Sequence, residues 1–223
     1  EQDLVASPVK LTNASGIQAP AISEYVITLM LAFDKHLPQF AQLKREKTWQ
    51  PFTMVSLQGQ TVGILGFGNI GKEIAKRSKA LGMTVIAYDR PRKVMRAKNV
   101  DKLVSGALGI AEIFKSCDVV VSALPSTPET AGLIGEKQLK SMKPSAYLIN
   151  ISRGAVVDEP VLIKALKEKW IAGAGLDVFA TEPLPNENEL WNLPNTILSP
   201  HTCGRLDDTD SMVADLFCVN LKK

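Results

Sequence analysis

Cysteine is scarce in this 223-residue chain. Cys117, Cys203 and Cys218 are odd in number and irregularly spaced, so they fit neither a disulfide framework nor a zinc site and suit a reducing compartment such as the cytoplasm. Long apolar runs are also missing. The longest, Tyr25 to Phe33, is interrupted by Thr28 and falls far short of the ~20 residues that span a bilayer, and no secretory pattern opens the chain. Charge of one sign is absent too: 26 Lys and Arg against 23 Asp and Glu leave +3, too mild for a nucleic-acid binder. With 45% hydrophobic and 22% charged residues, the chain has ordinary globular usage, which excludes disorder and coiled coil. Its first residue is Glu1 rather than methionine, and a piece of something longer is expected.

What is present is an alternation. Thr61–Gly66, Thr84–Tyr88, Asp118–Leu124, Ala146–Ile151, Gly173–Val178 and Thr196–Ser199 are short, almost continuously apolar runs, as strands covered on both faces should be. Between them Ile70, Ile74, Ala75 and Leu81 recur at helical spacing, and Val161 to Trp170 reads the same way. Six strands with intervening helices predict an α/β fold with a doubly wound parallel sheet. Before them, Ile22 to His36 makes one helix ended by Pro38, and a polar helical stretch runs on to Trp49. The apolar face of the first helix must pack on the sheet or on a second subunit. His36 reads as a surface or helix-end residue, and Leu206 to Leu221 as a last helix.

Gly66-Phe-Gly68-Asn-Ile-Gly71 follows the first strand directly and opens a helix near Asn69. Gly66 permits the tight turn, Gly68 lets the backbone approach a diphosphate, and Gly71 lets helix and strand pack closely. The helix N-terminus then offers unpaired amides to the phosphates. Asp89, eighteen residues past Gly71, ends the second strand where a carboxylate can accept ribose hydroxyls. These features predict a dinucleotide site. Asp89 favours NAD, whereas Arg90, Arg92 and Lys93 could neutralise the 2′-phosphate of NADP.

Three further segments lie at the C-terminal ends of predicted strands: Asn150-Ile-Ser-Arg-Gly154, Asp177-Val-Phe-Ala-Thr-Glu-Pro183 and Ser199-Pro-His-Thr-Cys-Gly204. Ligands of open α/β sheets bind at that edge. Together with Asn13-Ala-Ser-Gly16, Ile22-Ser-Glu24, Leu124-Pro-Ser-Thr-Pro-Glu-Thr130 and Glu182-Pro-Leu-Pro185, these motifs make the chain resemble the D-isomer-specific 2-hydroxyacid dehydrogenases over nearly its whole length.

The resemblance implies hydride transfer between a nicotinamide cofactor and a 2-oxo/2-hydroxy acid pair. Arg153 would bind the substrate carboxylate, His201 would be the acid/base, and Glu182 would orient His201 and favour its charged form. It also implies that Asn69 and Ile70 lie over the diphosphate and that Leu124 and Pro125 line the adenosine side. Ile151 and Ser152 would lie near the nicotinamide ribose, Asp177 would hold the carboxamide, and His201 to Gly204 would form the last turn against the nicotinamide. Residues 1–16 would be the tail of a lid domain, 17–204 the NAD(P)-binding domain, and 205–223 the start of a helix returning to the lid. A homodimer through the nucleotide-binding domain is the family's habit, with no nucleic acid, membrane or metal partner. A dinucleotide-sensing, corepressor-like regulator on the same fold is the alternative.

Overall fold

The computed structural model describes Ser7, residues 12–90 and residues 97–221. Seven short strands form one sheet: β1 (Thr61–Leu65), β2 (Thr84–Tyr88), β3 (Lys102–Val104), β4 (Val119–Ser122), β5 (Tyr147–Asn150), β6 (Gly173–Leu176) and β7 (Thr196–Leu198). Their order is β3-β2-β1-β4-β5-β6-β7, with every pairing parallel. The chain winds outward from β1 in one direction and then, from β4, in the other. The switch between β1 and β4 opens the crevice in which such sheets hold ligands.

Six of these strands are the predicted ones, most of them ending sooner than the apolar pattern does, because their last residues leave the ladder to build loops. β3 was not anticipated. It is three residues long, begins with Lys102, and owes its place to its pairing with Ile86–Tyr88.

The helices are α1 (Ala19–Asp34), α2 (Leu37–Glu46), α3 (Asn69–Ala80), α4 (Gly106–Ser116), α5 (Glu136–Ser141), α6 (Glu159–Lys167) and α7 (Thr209–Leu221). α1 starts earlier than its apolar pattern because Pro20 sits in its first turn, where a missing N–H costs nothing. It stops two residues before His36, whose φ of 54° opens α2. The His36 ring sits within 3.2 Å of the Thr53 carbonyl, the helix-end role expected of it. α2 ends at Glu46, short of Trp49, with Lys47 also at positive φ. α6 begins at Glu159 because the Asp158 side chain caps it, accepting from the Val161 N–H.

Side chains alternate between the two faces of the sheet. Val120, Leu148 and Leu176 pack with Phe114 and Leu162 on one side, while Ile64, Val121 and Ile149 pack with Val26, Leu29 and Ile74 on the other. Each such side chain, fully removed from water, contributes about 1.5–3 kcal/mol. The apolar face of α1 is accounted for within the chain: Leu29 lies over Gly175 of β6, and Phe33 stacks on Tyr147 of β5 with ring centroids 4.4 Å apart. Among the described residues no helix is long and apolar enough to cross a membrane.

Candidate active site

The glycine turn between β1 and α3 has the close geometry its sequence predicts. Gly66 sits at φ +100°, and a Cβ there would meet the Ala123 carbonyl at 2.5 Å; one on Gly71 would meet the Gly66 carbonyl at 2.1 Å. Gly68 is different. A Cβ built on it meets nothing within 4 Å, so its backbone faces open space. The amides that begin α3, at Asn69, Ile70 and Gly71, come before the first intrahelical acceptor, which Lys72 finds at the Gly68 carbonyl. A diphosphate fits that cradle. The Asn69 side chain donates to Ser15 Oγ at 3.1 Å, tying the Asn13–Gly16 segment to the start of α3.

A cleft of about 670 Å³ extends from this turn, lined by Gly66, Gly68, Asp89, Arg90, Leu124 and Pro125. Asp89 directly follows β2, with its N–H bonded to the Val104 carbonyl, and its Oδ1 accepts from the Arg90 N–H at 2.8 Å. Arg92 and Lys93 lie outside the described residues. Thr127, Glu129 and Thr130 also line the cleft, although only their motif, and no site role, was read from sequence. Thr130 Oγ1 donates to the Pro125 carbonyl at 2.7 Å and accepts from the Thr127 N–H at 2.9 Å, which closes the loop after β4 into a fixed wall.

Arg153, Glu182 and His201 leave the ends of three adjacent strands, β5, β6 and β7. Glu182 and His201 are joined directly, with Nδ1 2.8 Å from Oε2. The other carboxylate oxygen, Oε1, accepts from the Phe179 N–H at 3.0 Å, so the side chain is held from two directions. Partial burial pushes the Glu182 carboxyl up, but these two hydrogen bonds outweigh it and leave the group below its usual range.

Arg153 makes no hydrogen bond or ion pair with that pair among the described residues. Its Nη1 donates to the Ser152 carbonyl at 2.6 Å, while the chain beside it is pressed against the Glu182 loop: a Cβ on Gly154 would lie 1.9 Å from the Phe179 carbonyl. Glu159 reinforces this contact, accepting from the Ala180 N–H at 3.0 Å and from Asn188 Nδ2 at 2.8 Å. Beside His201 and Glu182 lies a mostly apolar hollow of about 550 Å³, with Leu184 and Trp191 in its wall.

The loop after β7 depends on Asp177, which is fully buried. Its carboxylate accepts from Ser199 Oγ at 2.6 Å, the Thr202 N–H at 2.9 Å and the Cys203 N–H at 3.2 Å, and its carbonyl accepts from the His201 N–H at 2.9 Å. His201 itself has φ 53°, a backbone state that costs a non-glycine residue about 1–2 kcal/mol and persists because these contacts enforce it. Burial also pushes the Cys203 thiol up, and Asp177 beside it adds to this, so the sulfur stays protonated. Ile151 and Ser152 are buried in the loop after β5, where the Ser152 hydroxyl is engaged by Asn150 and Ser122. Gly204 closes the His201 loop against Ile22 of α1. A sequence reading had no means of finding Tyr25, whose hydroxyl donates to Ser199 at 2.5 Å from 174 residues away.

Comparison with known proteins identifies the family. The sequence profile of the D-isomer specific 2-hydroxyacid dehydrogenase NAD binding domain matches residues 27–203. A glyoxylate reductase of Thermococcus litoralis is 41% identical over 222 residues, covering 96% of this chain, which spans 66% of that relative's length. A D-isomer specific 2-hydroxyacid dehydrogenase of Xanthobacter autotrophicus, solved with NADPH and MES, superposes with a TM-score of 0.86 at 30% identity, covering 99% of this chain and 91% of that one. An NADPH-dependent glyoxylate/hydroxypyruvate reductase of Sinorhizobium meliloti, solved with NADP and sulfate, gives 0.80 at 25% identity over 95% of this chain and 67% of that one. With the profile covering most of its length and the glycine turn open to a diphosphate, the chain belongs to the D-isomer-specific 2-hydroxyacid dehydrogenase family, in which residues 27–203 form the NAD-binding domain.

Proposed function

We propose that the protein is an NAD(P)-dependent oxidoreductase that interconverts a small 2-oxo acid and its D-2-hydroxy acid. The observation that carries this reading is the 2.8 Å contact between Glu182 and His201 at the same strand edge as the open glycine turn. A bound nicotinamide dinucleotide supplies the hydride. The chain supplies the rest.

Because Nδ1 of His201 faces Glu182, Nε2 is the nitrogen left to give a proton to the carbonyl oxygen during reduction and to take it back during oxidation. Arg153 would fork onto the substrate carboxylate and polarise the neighbouring carbonyl, turning away from the Ser152 carbonyl to do so. Glu182 fixes the tautomer and orientation of the ring. Asp89 would accept the ribose hydroxyls and favour NADH over NADPH, although the two solved relatives described above hold NADPH or NADP. Ile151, Ser152 and Gly204 would border the nicotinamide end through backbone and loop shape. Asp177 would reach a carboxamide only from beneath the loop it already holds.

The family profile over residues 27–203 supports a cofactor domain at 17–204, with residues 1–16 as the tail of a lid domain and 205–223 as the start of a helix returning to it. The exposed Leu37, Trp49, Met54 and Val55 support a homodimer built through the segment between α1 and β1, not through the α1 face that the sheet already covers. Cys117, Cys203 and Cys218 are free thiols, which suits the cytoplasm. The regulator alternative gains no support from the relatives named above, which are enzymes by name.

The deciding experiment follows absorbance at 340 nm with NADH and with NADPH over glyoxylate, hydroxypyruvate and pyruvate, using the intact protein. Substrate-dependent oxidation of the cofactor is expected. Tight NADH binding with no turnover on any 2-oxo acid would favour the regulator.

A further inference from the structure

Resting on the oxo-acid reductase reading, we propose that Tyr25 of α1 is a positioning residue for His201, acting through Ser199 and Asp177. The direction of every hydrogen bond in this chain follows from chemistry. Asp177, as a carboxylate, only accepts, so the single proton of Ser199 Oγ goes to Asp177 Oδ1 at 2.6 Å. The Ser199 oxygen is then an acceptor, and the Tyr25 hydroxyl donates to it at 2.5 Å. Burial raises the phenol of Tyr25, which keeps it in the donating form.

Asp177 in turn gathers three successive amides, those of His201, Thr202 and Cys203, around its carbonyl and carboxylate. Those same contacts hold His201 at positive φ, the conformation that presents its ring to Glu182. A shift of Ser199 would tilt Asp177, and with it the amides that set the backbone of His201. Tyr25 therefore fixes the far end of the relay from a rigid helix, and that helix packs against α3, which begins at the glycine turn. The relay spans the chain from its first described helix to its last strand, with each link at 2.9 Å or less as far as the Thr202 amide.

The test compares Tyr25→Phe, Ser199→Ala and the double variant in the intact protein. Tyr25→Phe keeps the ring that packs and removes only the hydroxyl. Losing one link should lower kcat about 5-fold with the substrate KM and the NADH dissociation constant unchanged within about 2-fold. In the Ser199→Ala background the same change should do nothing more, since the relay is already cut. Amide hydrogen exchange at Thr202 and Cys203 should accelerate in each variant.

An unchanged kcat, or a loss that adds fully to that of Ser199→Ala, overturns the proposal; lower thermal stability at unchanged kcat reduces Tyr25 to a structural contact and overturns it too. A wild-type protein that binds NADH without reducing any 2-oxo acid overturns the reductase reading. The exchange rates then still report whether Tyr25 holds the loop.

Discussion

Gly154 lies against the main chain of Phe179 so closely that a methyl group on it would come within 1.9 Å of the Phe179 carbonyl oxygen. This contact docks the loop that carries Arg153 onto the loop that carries Glu182. The separation of Arg153 from the Glu182–His201 pair is thus set by two backbones and depends little on long side chains.

Gly154→Ala should therefore damage both stability and activity. The clash is with backbone, which cannot rotate away, and a destabilisation of about 3 kcal/mol is expected, near the upper end of overpacking effects. Gly68→Ala should do the opposite. The added methyl meets no protein atom and the φ of −78° suits alanine, so urea midpoints should barely move while the NADH dissociation constant rises at least ~10-fold. Urea titration and fluorescence binding on the two variants check both outcomes.

His201→Ala or Arg153→Ala should lower kcat/KM for the 2-oxo acid by about 10³-fold or more while cofactor affinity stays nearly unchanged. Both side chains stand outside the cleft that begins at the glycine turn. Steady-state rates together with NADH binding isotherms test this; near-normal rates in either variant would remove the mechanism.

Glu182→Gln should cost at least ~10-fold in kcat by weakening the hold on His201, and it should change the response to acid. Folding lowers the pKa of the Glu182 carboxyl, so its contribution to stability is complete above the ordinary glutamate value of about 4.3 and is lost as pH falls through the lower folded value. The wild type should melt above the variant at neutral pH, with the gap closing below about pH 4. Melting curves across pH 3 to 7, taken as roughly that window, would show it. A gap that persists at the acid end would contradict the assignment.

Cys117 should be silent toward iodoacetamide in the folded protein. Its thiol is fully buried against Gly63 and pushed up to about 11 by burial, while Cys218 is exposed on α7. Alkylation requires an accessible thiolate, so at about pH 8 the exposed Cys218 should be modified at least ~10²-fold faster than buried Cys117. The difference should vanish in denaturant. Peptide mass spectrometry reads both rates.

Much of the framework was legible because it rests on local patterns. Continuous apolar runs mark strands buried on both faces, and the glycine spacing after β1 marks a turn with little steric freedom. What stayed hidden depends on distant partners. β3 is too short and too polar at Lys102 to announce itself; the edge of β2 recruits it. The carboxylate of Asp177 also holds the loop after β7, accepting from Ser199, Thr202 and Cys203, donors that only the folded chain brings within reach. Glu159 and Tyr25 carry no motif at all. Their value lies in where the α6 and α1 helices set them down, beside Ala180 and Ser199 respectively.

His201 follows β7, a three-residue strand at the outer margin of the sheet, with ladder partners on one side only among the described residues and none of its residues fully buried. Margins of this kind fray at temperatures where the centre is still intact. Warming should therefore silence the protein reversibly before it unfolds, with catalysis failing at the rim while the cofactor cradle, built on the central strand β1, still holds its ligand.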